Sequence, residues 1–150
     1  MKGHKLLRKG RCSIPNQVYH VSAATLEWQP LFHDFECGRV VVDCLRHEHD
    51  AGHVESLAFV VMPDHLHWLF SLTGSRSLSA SIQNVKSFSA RRVSEILGSN
   101  KRVWQPAFYD RAIRREEDLE AVARYIVANP LRAGIVESVK EYPLWDAKWV

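Results

Sequence analysis

The chain has 150 residues and a formal net charge of +3, with 46% hydrophobic and 25% charged residues, which is ordinary for a globular protein. That length predicts a single domain, residues 1–150. Its core is large enough to be stable without disulfides or structural metals. No apolar run is long enough to cross a membrane, and no secretory signal is expected. Three cysteines without a metal-type spacing, Cys12, Cys37 and Cys44, predict free thiols in a reducing cytoplasm.

Positive charge is unevenly distributed along the chain. Five of the first eleven residues are Lys or Arg, so residues 1–16 form a predicted basic N-terminal arm. Further clusters occur at Arg91-Arg92, at Lys101-Arg102 and between Arg111 and Arg115. Clustered charge of this kind is compatible with a phosphate-backbone partner, and a solvated surface is the alternative.

The first half of the chain predicts three strands and one helix. Val18 to Ala24 is rich in strand-forming residues. Leu31 to about His49 shows helical spacing, and its length favours a helix although a local valine run favours a strand. Val54 to Met62 and His65 to Leu72 are predicted to form a hairpin through the Pro63-Asp64 turn.

The second half predicts two helices around a strand. Ser77 can cap a long helix that ends near Gly98. Phe108 to Ile113 is a strand candidate. The acidic residues that begin at Glu116 suit the start of a helix, which we expect to run to Asn129 because Pro130 would end it. Residues 137–150 form a predicted C-terminal tail without a clear period.

The element order β-α-β-β-α-β-α predicts an α+β fold. Hairpin strands two and three, with helices between the other strands, suit a single-domain antiparallel sheet with helices packed on one face. This arrangement is ferredoxin-like or RRM-like. The hairpin is then expected in the middle of the sheet, on rigid scaffold.

The step His65-Leu66-His67 is the main candidate for chemistry. Side chains at i and i+2 of a strand point to the same face, so His65 and His67 project together while Leu66 faces the core. Two adjacent imidazoles make half of a divalent-metal site. Two half-buried strand histidines are the alternative interpretation.

The predicted last helix supplies candidates for the rest of the site. Tyr125 and Asn129 lie four residues apart, about 40° around the helix, at one edge of its apolar arc. If the helix packs on the sheet face of the histidines, both can reach a bound metal. A phenol can attack a phosphodiester when a metal neutralises the phosphate. Two imidazoles, an amide oxygen and waters suit Mg²⁺ or Mn²⁺ better than a closed zinc site.

Five segments of the chain resemble the single-tyrosine HUH transposases (IS200-like), and within them the REP-associated tyrosine transposases of bacteria. HUH denotes two histidines around a hydrophobic residue. The segments occur in the family order. They are Tyr19-His20-Val21-Ser22, Val61-Met62-Pro63-Asp64-His65-Leu66-His67, Lys86-Ser87-Phe88, Trp104 through Arg111, and Tyr125 through Gly134.

This resemblance implies an endonuclease and strand transferase that cleaves hairpin-forming single-stranded DNA through a 5′-phosphotyrosine. It implies that His65 and His67 bind the metal, that Tyr125 is the nucleophile, and that Asn129 assists the metal. Relatives act as monomers or as homodimers, so both states are open. The expected location is the cytoplasm, in association with the nucleoid.

Several side chains are candidates for contact with DNA, with ordinary surface or core packing as the alternative. The candidates are Lys86, Arg91, Arg92, Trp104, Arg111 and Arg114. A separate patch of His47, Glu48, His49 and His53 could bind metal, but the solvated end of a helix is the favoured interpretation.

Two other functions are compatible with these residues. One is a domesticated protein that binds hairpin DNA or RNA without cleaving it. The other is a metal-dependent phosphodiesterase that uses His65 and His67 with water as the nucleophile. The presence of Tyr125 together with both histidines favours the strand transferase.

Overall fold

A computed structural model describes residues 16–114 and 117–149 as a five-stranded antiparallel sheet with helices. The strand order is β4-β1-β3-β2-β5. Residues 1–15, most of the predicted basic arm, lie outside the described residues. In chain order the elements are β1 (Val18–Ala24), α1 (Phe35–Asp50), β2 (Val54–Met62), β3 (His65–Leu72), α2 (Leu78–Leu97), β4 (Tyr109–Ala112), α3 (Leu119–Val127), α4 (Asn129–Arg132) and β5 (Trp145–Ala147).

The predicted hairpin occupies the centre of the sheet. Strand β3 pairs with β1 on one side and with β2 on the other, in both cases antiparallel. The turn at Pro63-Asp64 places Met62 opposite His65. The expected central position of the His65–His67 strand is therefore confirmed, and its backbone is held by ladders on both edges.

Both ends of the long helix α2 follow the capping residues predicted from the sequence. Helix α2 begins after Ser77, whose hydroxyl accepts from Ala80 N, and it ends at Gly98 in the left-handed conformation. Helix α1 begins later than predicted, because Leu31–His33 form a separate 3₁₀ turn. The Asp34 carboxylate then caps α1 by accepting from Cys37 N.

The end of the predicted last helix differs from expectation. Helix α3 ends at Val127, and Pro130 does not terminate the helical path but stands in the first turn of the short helix α4. Proline is tolerated there because an N–H in the first turn has no intrahelical acceptor. Tyr125 and Asn129 therefore lie on two successive helices.

Strand β5 was not predicted. Its three residues, Trp145–Ala147, pair with β2 at Ala58, Phe59 and Val60. Three residues are too few to display an alternating pattern in the sequence. The strand forms because the backbone groups on the free edge of β2 can pair with the C-terminal segment.

Both faces of the sheet are covered, so the expectation that all helices share one face is wrong. On β3, Leu69 lies on the face of His65 and His67, whereas Trp68 and Phe70 lie on the other, and all three apolar side chains are fully buried. Helix α3 contacts β2, β3 and β5, while α1 contacts β2 and packs along α2. Ala58, Val60 and Met62 of β2 share the histidine face in the register with β3 and are buried, which is the cover that α3 provides.

Candidate active site

The two histidines of β3 stand side by side at the start of the strand. The ring centroids of His65 and His67 are 4.9 Å apart, and the rings are nearly perpendicular. Both side chains are half-buried, whereas Leu66 between them is buried on the opposite face. The arrangement follows directly from the two-residue period of a strand.

Neighbouring strand β1 fixes the ring of His67. Its Nδ1 lies 3.0 Å from His20 Nε2 and 3.0 Å from Ser22 Oγ. Ser22 pairs directly with His67 in the register of β1 and β3. Because Nδ1 is engaged inside the sheet, Nε2 is the ring atom that a metal would take.

Asp64 fixes the other ring. The Nδ1 of His65 lies 2.7 Å from Asp64 Oδ1. A carboxylate in this position holds a histidine in the tautomer whose Nε2 carries the lone pair. Asp64 was part of the matched sequence segment, but the sequence alone did not assign it this role.

Burial keeps the inner imidazoles neutral. Desolvation, together with the charges of His65, His20 and Arg132, lowers the pKa of His67 to about 3. Desolvation and the charge of Arg111 lower the pKa of His20 to about 4. A neutral imidazole is the form that binds a metal ion, so His67 is ready to act as a ligand at neutral pH.

The Nε2 atoms of His65 and His67 are suited to be two nitrogen ligands of a metal ion. Within residues 16–114 and 117–149, no group of three or more His, Cys, Asp or Glu side chains is arranged to hold a metal ion. A complete site would therefore need further donors, such as an amide, water or substrate oxygen. The outer contacts of His65 to Asp64, and of His67 to Ser22, are those expected of metal-binding histidines.

Tyr125 presents its ring at the surface. The sequence predicted a half-buried side chain, but Tyr125 is 64% exposed. The guanidinium carbon of Arg132 lies 3.7 Å from the centroid of the Tyr125 ring. The amide Nδ2 of Asn129 donates to Ile126 O at 2.8 Å, so this amide is oriented by the end of helix α3. An exposed phenol beside a guanidinium is accessible to a phosphodiester.

Arg132 is a residue that the sequence reasoning missed. It stacks on Tyr125, and its charge contributes to the low pKa of His67. The signal was present in the segment Asn129-Pro130-Leu131-Arg132, but the assumed helix stop at Pro130 hid the fact that the chain makes one more turn beside Tyr125.

Burial separates two of the predicted DNA contacts from the others. Lys86 is only 8% exposed, and its ammonium donates to Gln105 O at 2.8 Å and to Ala107 O at 2.9 Å. Trp104 is 4% exposed, and its indole N–H donates to Ser89 Oγ at 2.9 Å. Their polar atoms serve the fold, so direct contact of these two side chains with DNA is not supported.

The four predicted arginines remain on the surface. Arg91 lies over the ring of Phe88, and Arg92 donates to Glu95. Arg111 makes two hydrogen bonds to the Glu117 carboxylate, at 2.8 and 3.0 Å, and Arg114 donates its backbone N–H to the same carboxylate. Of these four, Arg111 lies closest to the histidine pair in the sheet register, since it pairs with His20.

The second histidine patch does not form a site. Glu48 is buried and accepts from Arg76 and Asn84, so it ties α1 to α2. His49 Nδ1 accepts from Ser56 N, His53 contacts Ser75, and His47 is exposed. His47 and His49 are exposed, as predicted for the solvated end of α1, whereas Glu48 is buried and departs from that prediction.

Replacing Lys86 by methionine tests its assignment to the fold. The change removes two charge-assisted hydrogen bonds and leaves two carbonyls without their donor. We expect it to lower the free energy of unfolding by about 2 kcal/mol. Arg91→Met, at an exposed position on the same helix, is the control and should change stability by less than about 0.5 kcal/mol. Equal stability of the two variants in urea denaturation would contradict the assignment.

Comparison with known proteins places these features in a family. The family model described as "Transposase IS200 like" matches residues 13–129. The chain is 32% identical over 87 residues to the REP-associated tyrosine transposase of Escherichia coli K12, covering 57% of this chain and 50% of that protein. It is 31% identical over 99 residues to a putative REP-associated tyrosine transposase of Haemophilus influenzae, covering 59% and 56%. The chain thus spans about half the length of these curated relatives.

Two solved structures share the fold. One is a REP-associated tyrosine transposase bound to a REP hairpin, with a TM-score of 0.69, 24% identity, and coverage of 90% of this chain and 79% of that chain. The other is a putative transposase from Deinococcus radiodurans, with a TM-score of 0.57, 24% identity, and coverage of 78% and 93%. The family match across residues 13–129 includes His65, His67, Tyr125 and Asn129. The chain belongs to the IS200-like transposase family.

Proposed function

We propose that this protein is a metal-dependent strand transferase that cleaves hairpin-forming single-stranded DNA with Tyr125 as the nucleophile. The observation that carries the proposal is the packing of α3, which bears the exposed Tyr125, against the sheet strands β2 and β3, where β3 presents His65 and His67 side by side. The family and the hairpin-bound structural neighbour support this substrate class.

The reaction consists of two transfers at phosphorus. The Tyr125 Oη attacks the scissile phosphorus, the bond from phosphorus to the 3′-oxygen breaks, and a 5′-phosphotyrosine forms. The phenolic proton passes to water, and the released 3′-oxygen takes up a proton. A 3′-hydroxyl of a second strand then attacks the phosphotyrosine, the bond from phosphorus to Tyr125 Oη breaks, and the proton lost by the hydroxyl is balanced by the proton that the released phenolate takes up. One phosphodiester replaces another, so no external energy source is required.

His65 and His67 would hold a divalent cation, Mg²⁺ or Mn²⁺, with the amide oxygen of Asn129 as a third candidate ligand. The cation, when bound, neutralises charge on the phosphate. Asp64, His20 and Ser22 orient the two rings from behind, so the imidazoles need little rearrangement to bind.

The proposed surroundings are those of a DNA-processing protein. The partner is single-stranded DNA with palindromic or hairpin-forming repeats, and the location is the cytoplasm at the nucleoid. No helix in the described part of the chain has the length and apolar character needed to span a membrane.

The active unit is a monomer or a homodimer. One chain can contribute both Tyr125 and the histidine pair, because α3 packs on the same sheet.

The proposal is tested by trapping the covalent product. The protein is mixed with end-labelled hairpin DNA carrying single-stranded flanks, in Mg²⁺ or Mn²⁺, and is then denatured. We expect a labelled protein–DNA adduct and a free 3′-hydroxyl fragment. Cleavage without an adduct would favour water as the nucleophile, and tight binding without cleavage across a panel of repeat hairpins would favour the non-cleaving protein.

Arg132→Gln tests the part played by the guanidinium. The change removes a fixed positive charge beside the phenol and the scissile phosphate, and we expect the rate of adduct formation to fall roughly 10²- to 10³-fold. Arg132→Lys should recover part of the rate because it keeps the charge but not the planar group. Arg124→Gln is the matched control, since Arg124 is an exposed arginine of α3 that pairs with Glu120. Equal rates for Arg132→Gln and Arg124→Gln would exclude this role.

A further inference from the structure

An exposed indole stands beside the histidine pair. Trp28 is 56% exposed, and its ring centroid lies 5.9 Å from that of His65 in an edge-on arrangement. Tryptophan normally buries most of its large apolar surface. The Trp28 ring therefore forms part of the surface of the candidate active site instead of the hydrophobic core.

The backbone that presents this ring is strained. Glu27 and Trp28 have φ values of 57° and 56°, in the left-handed region that residues with a Cβ avoid. Two consecutive non-glycine residues in this region are uncommon. Such strain persists only where the surrounding structure imposes it, and it concentrates at functional sites.

Thr25 imposes the conformation and couples it to the active site. Its buried hydroxyl donates to Gln29 O at 2.7 Å and lies 3.1 Å from Asp64 O, and its backbone N–H donates to Asp64 O at 3.0 Å. Asp64 is also the residue whose carboxylate holds His65. The strained turn and the histidine pair are therefore anchored to the same residue, which fixes the position of the indole relative to the site.

We propose that Trp28 is a stacking platform for an unpaired nucleobase next to the phosphate that Tyr125 attacks. This inference rests on the proposed function, because it assumes a single-stranded DNA substrate at His65 and His67. A flat aromatic ring stacks on any base, which gives affinity with little dependence on sequence. The site would favour unpaired nucleotides, since a base within a duplex is already stacked on its neighbours.

The test separates base stacking from phosphate binding. Affinity is measured by fluorescence anisotropy, without divalent cations so that no cleavage occurs, for labelled oligothymidylate and for an abasic oligonucleotide of equal length. We expect Trp28→Leu to lower the affinity for oligothymidylate roughly 5- to 100-fold and to leave the affinity for the abasic strand unchanged. Trp28→Phe, which keeps an aromatic face, should recover most of the loss. Phe35→Leu, at another exposed aromatic of equal exposure, should match the wild type.

Each outcome distinguishes this inference from the function on which it rests. Undiminished binding of oligothymidylate by Trp28→Leu would overturn the stacking role alone. An equal loss for both oligonucleotides would also overturn it, because a general defect does not depend on bases. If the wild type bound neither strand and formed no adduct with hairpin DNA, the inference would fall together with the proposed function. Thermal unfolding of each variant shows whether the fold is retained, as expected for an exposed side chain.

Discussion

Tyr125→Phe is expected to abolish the covalent protein–DNA adduct, with a loss of at least roughly 10³-fold in cleavage. The substitution removes only the phenolic oxygen, which is the proposed attacking atom. The ring that Arg132 stacks on remains, so the local structure and the affinity for DNA should be preserved. The measurement is the yield of labelled adduct after denaturation, together with the peptide that carries the label in mass spectrometry.

Tyr109→Phe provides the matched control for that experiment. Tyr109 is 52% exposed, comparable to Tyr125, and lies on strand β4. Its variant should form the adduct at the rate of the wild type. Adduct formation that survived in Tyr125→Phe and disappeared in Tyr109→Phe would move the nucleophile to β4 and refute the proposed assignment.

His67→Ala is expected to lower cleavage by roughly 10³-fold, and His65→Ala to have a similar effect, because each removes one of the two imidazoles proposed to bind the cation. Excess metal should not restore the rate. Asp64→Asn should behave differently. It leaves both ligands in place but weakens the orientation of His65, so about 10- to 100-fold more Mn²⁺ should be required for the same rate.

Binding of Mn²⁺ measured by calorimetry gives a readout that does not depend on cleavage. We expect binding to be lost in His67→Ala and retained in His47→Ala, which removes an exposed histidine of α1. If His67→Ala bound Mn²⁺ as tightly as the wild type, the histidine pair would not be the metal site. Any adduct formed would then depend on Arg132 and Tyr125 without a metal held by these histidines.

The local elements of this protein were accessible from its sequence. The strand His65–Leu72 and the capped helix Leu78–Leu97 are specified by short-range periodicity and by residues such as Ser77 and Gly98 that terminate helices. The same two-residue period placed His65 and His67 on one face. Signals of this kind lie within a few residues of one another, so no knowledge of the packing is required to interpret them.

Elements governed by distant partners were predicted less well. Strand β5 forms because the edge of β2 is open, and nothing within Trp145–Ala147 reveals that edge. Pro130 was expected to end a helix, but it lies in the first turn of α4, since a proline in a first turn costs no hydrogen bond. The burial of Lys86 and Trp104 was also not predicted. Residue type alone does not distinguish a lysine or tryptophan that contacts DNA from one that forms hydrogen bonds inside the fold.

The sequence by itself determined the pair His65 and His67, the candidate nucleophile Tyr125, and the order of strands and helices that carries them. Only the tertiary structure decided that α3 covers the histidine face, that Arg132 lies against Tyr125, and that Trp28 lies edge-on to His65. The physical reason is that side-chain type and spacing are local properties. The meeting of β1, β3 and the last helices depends instead on which apolar surfaces are buried together, and that choice is made by the whole chain.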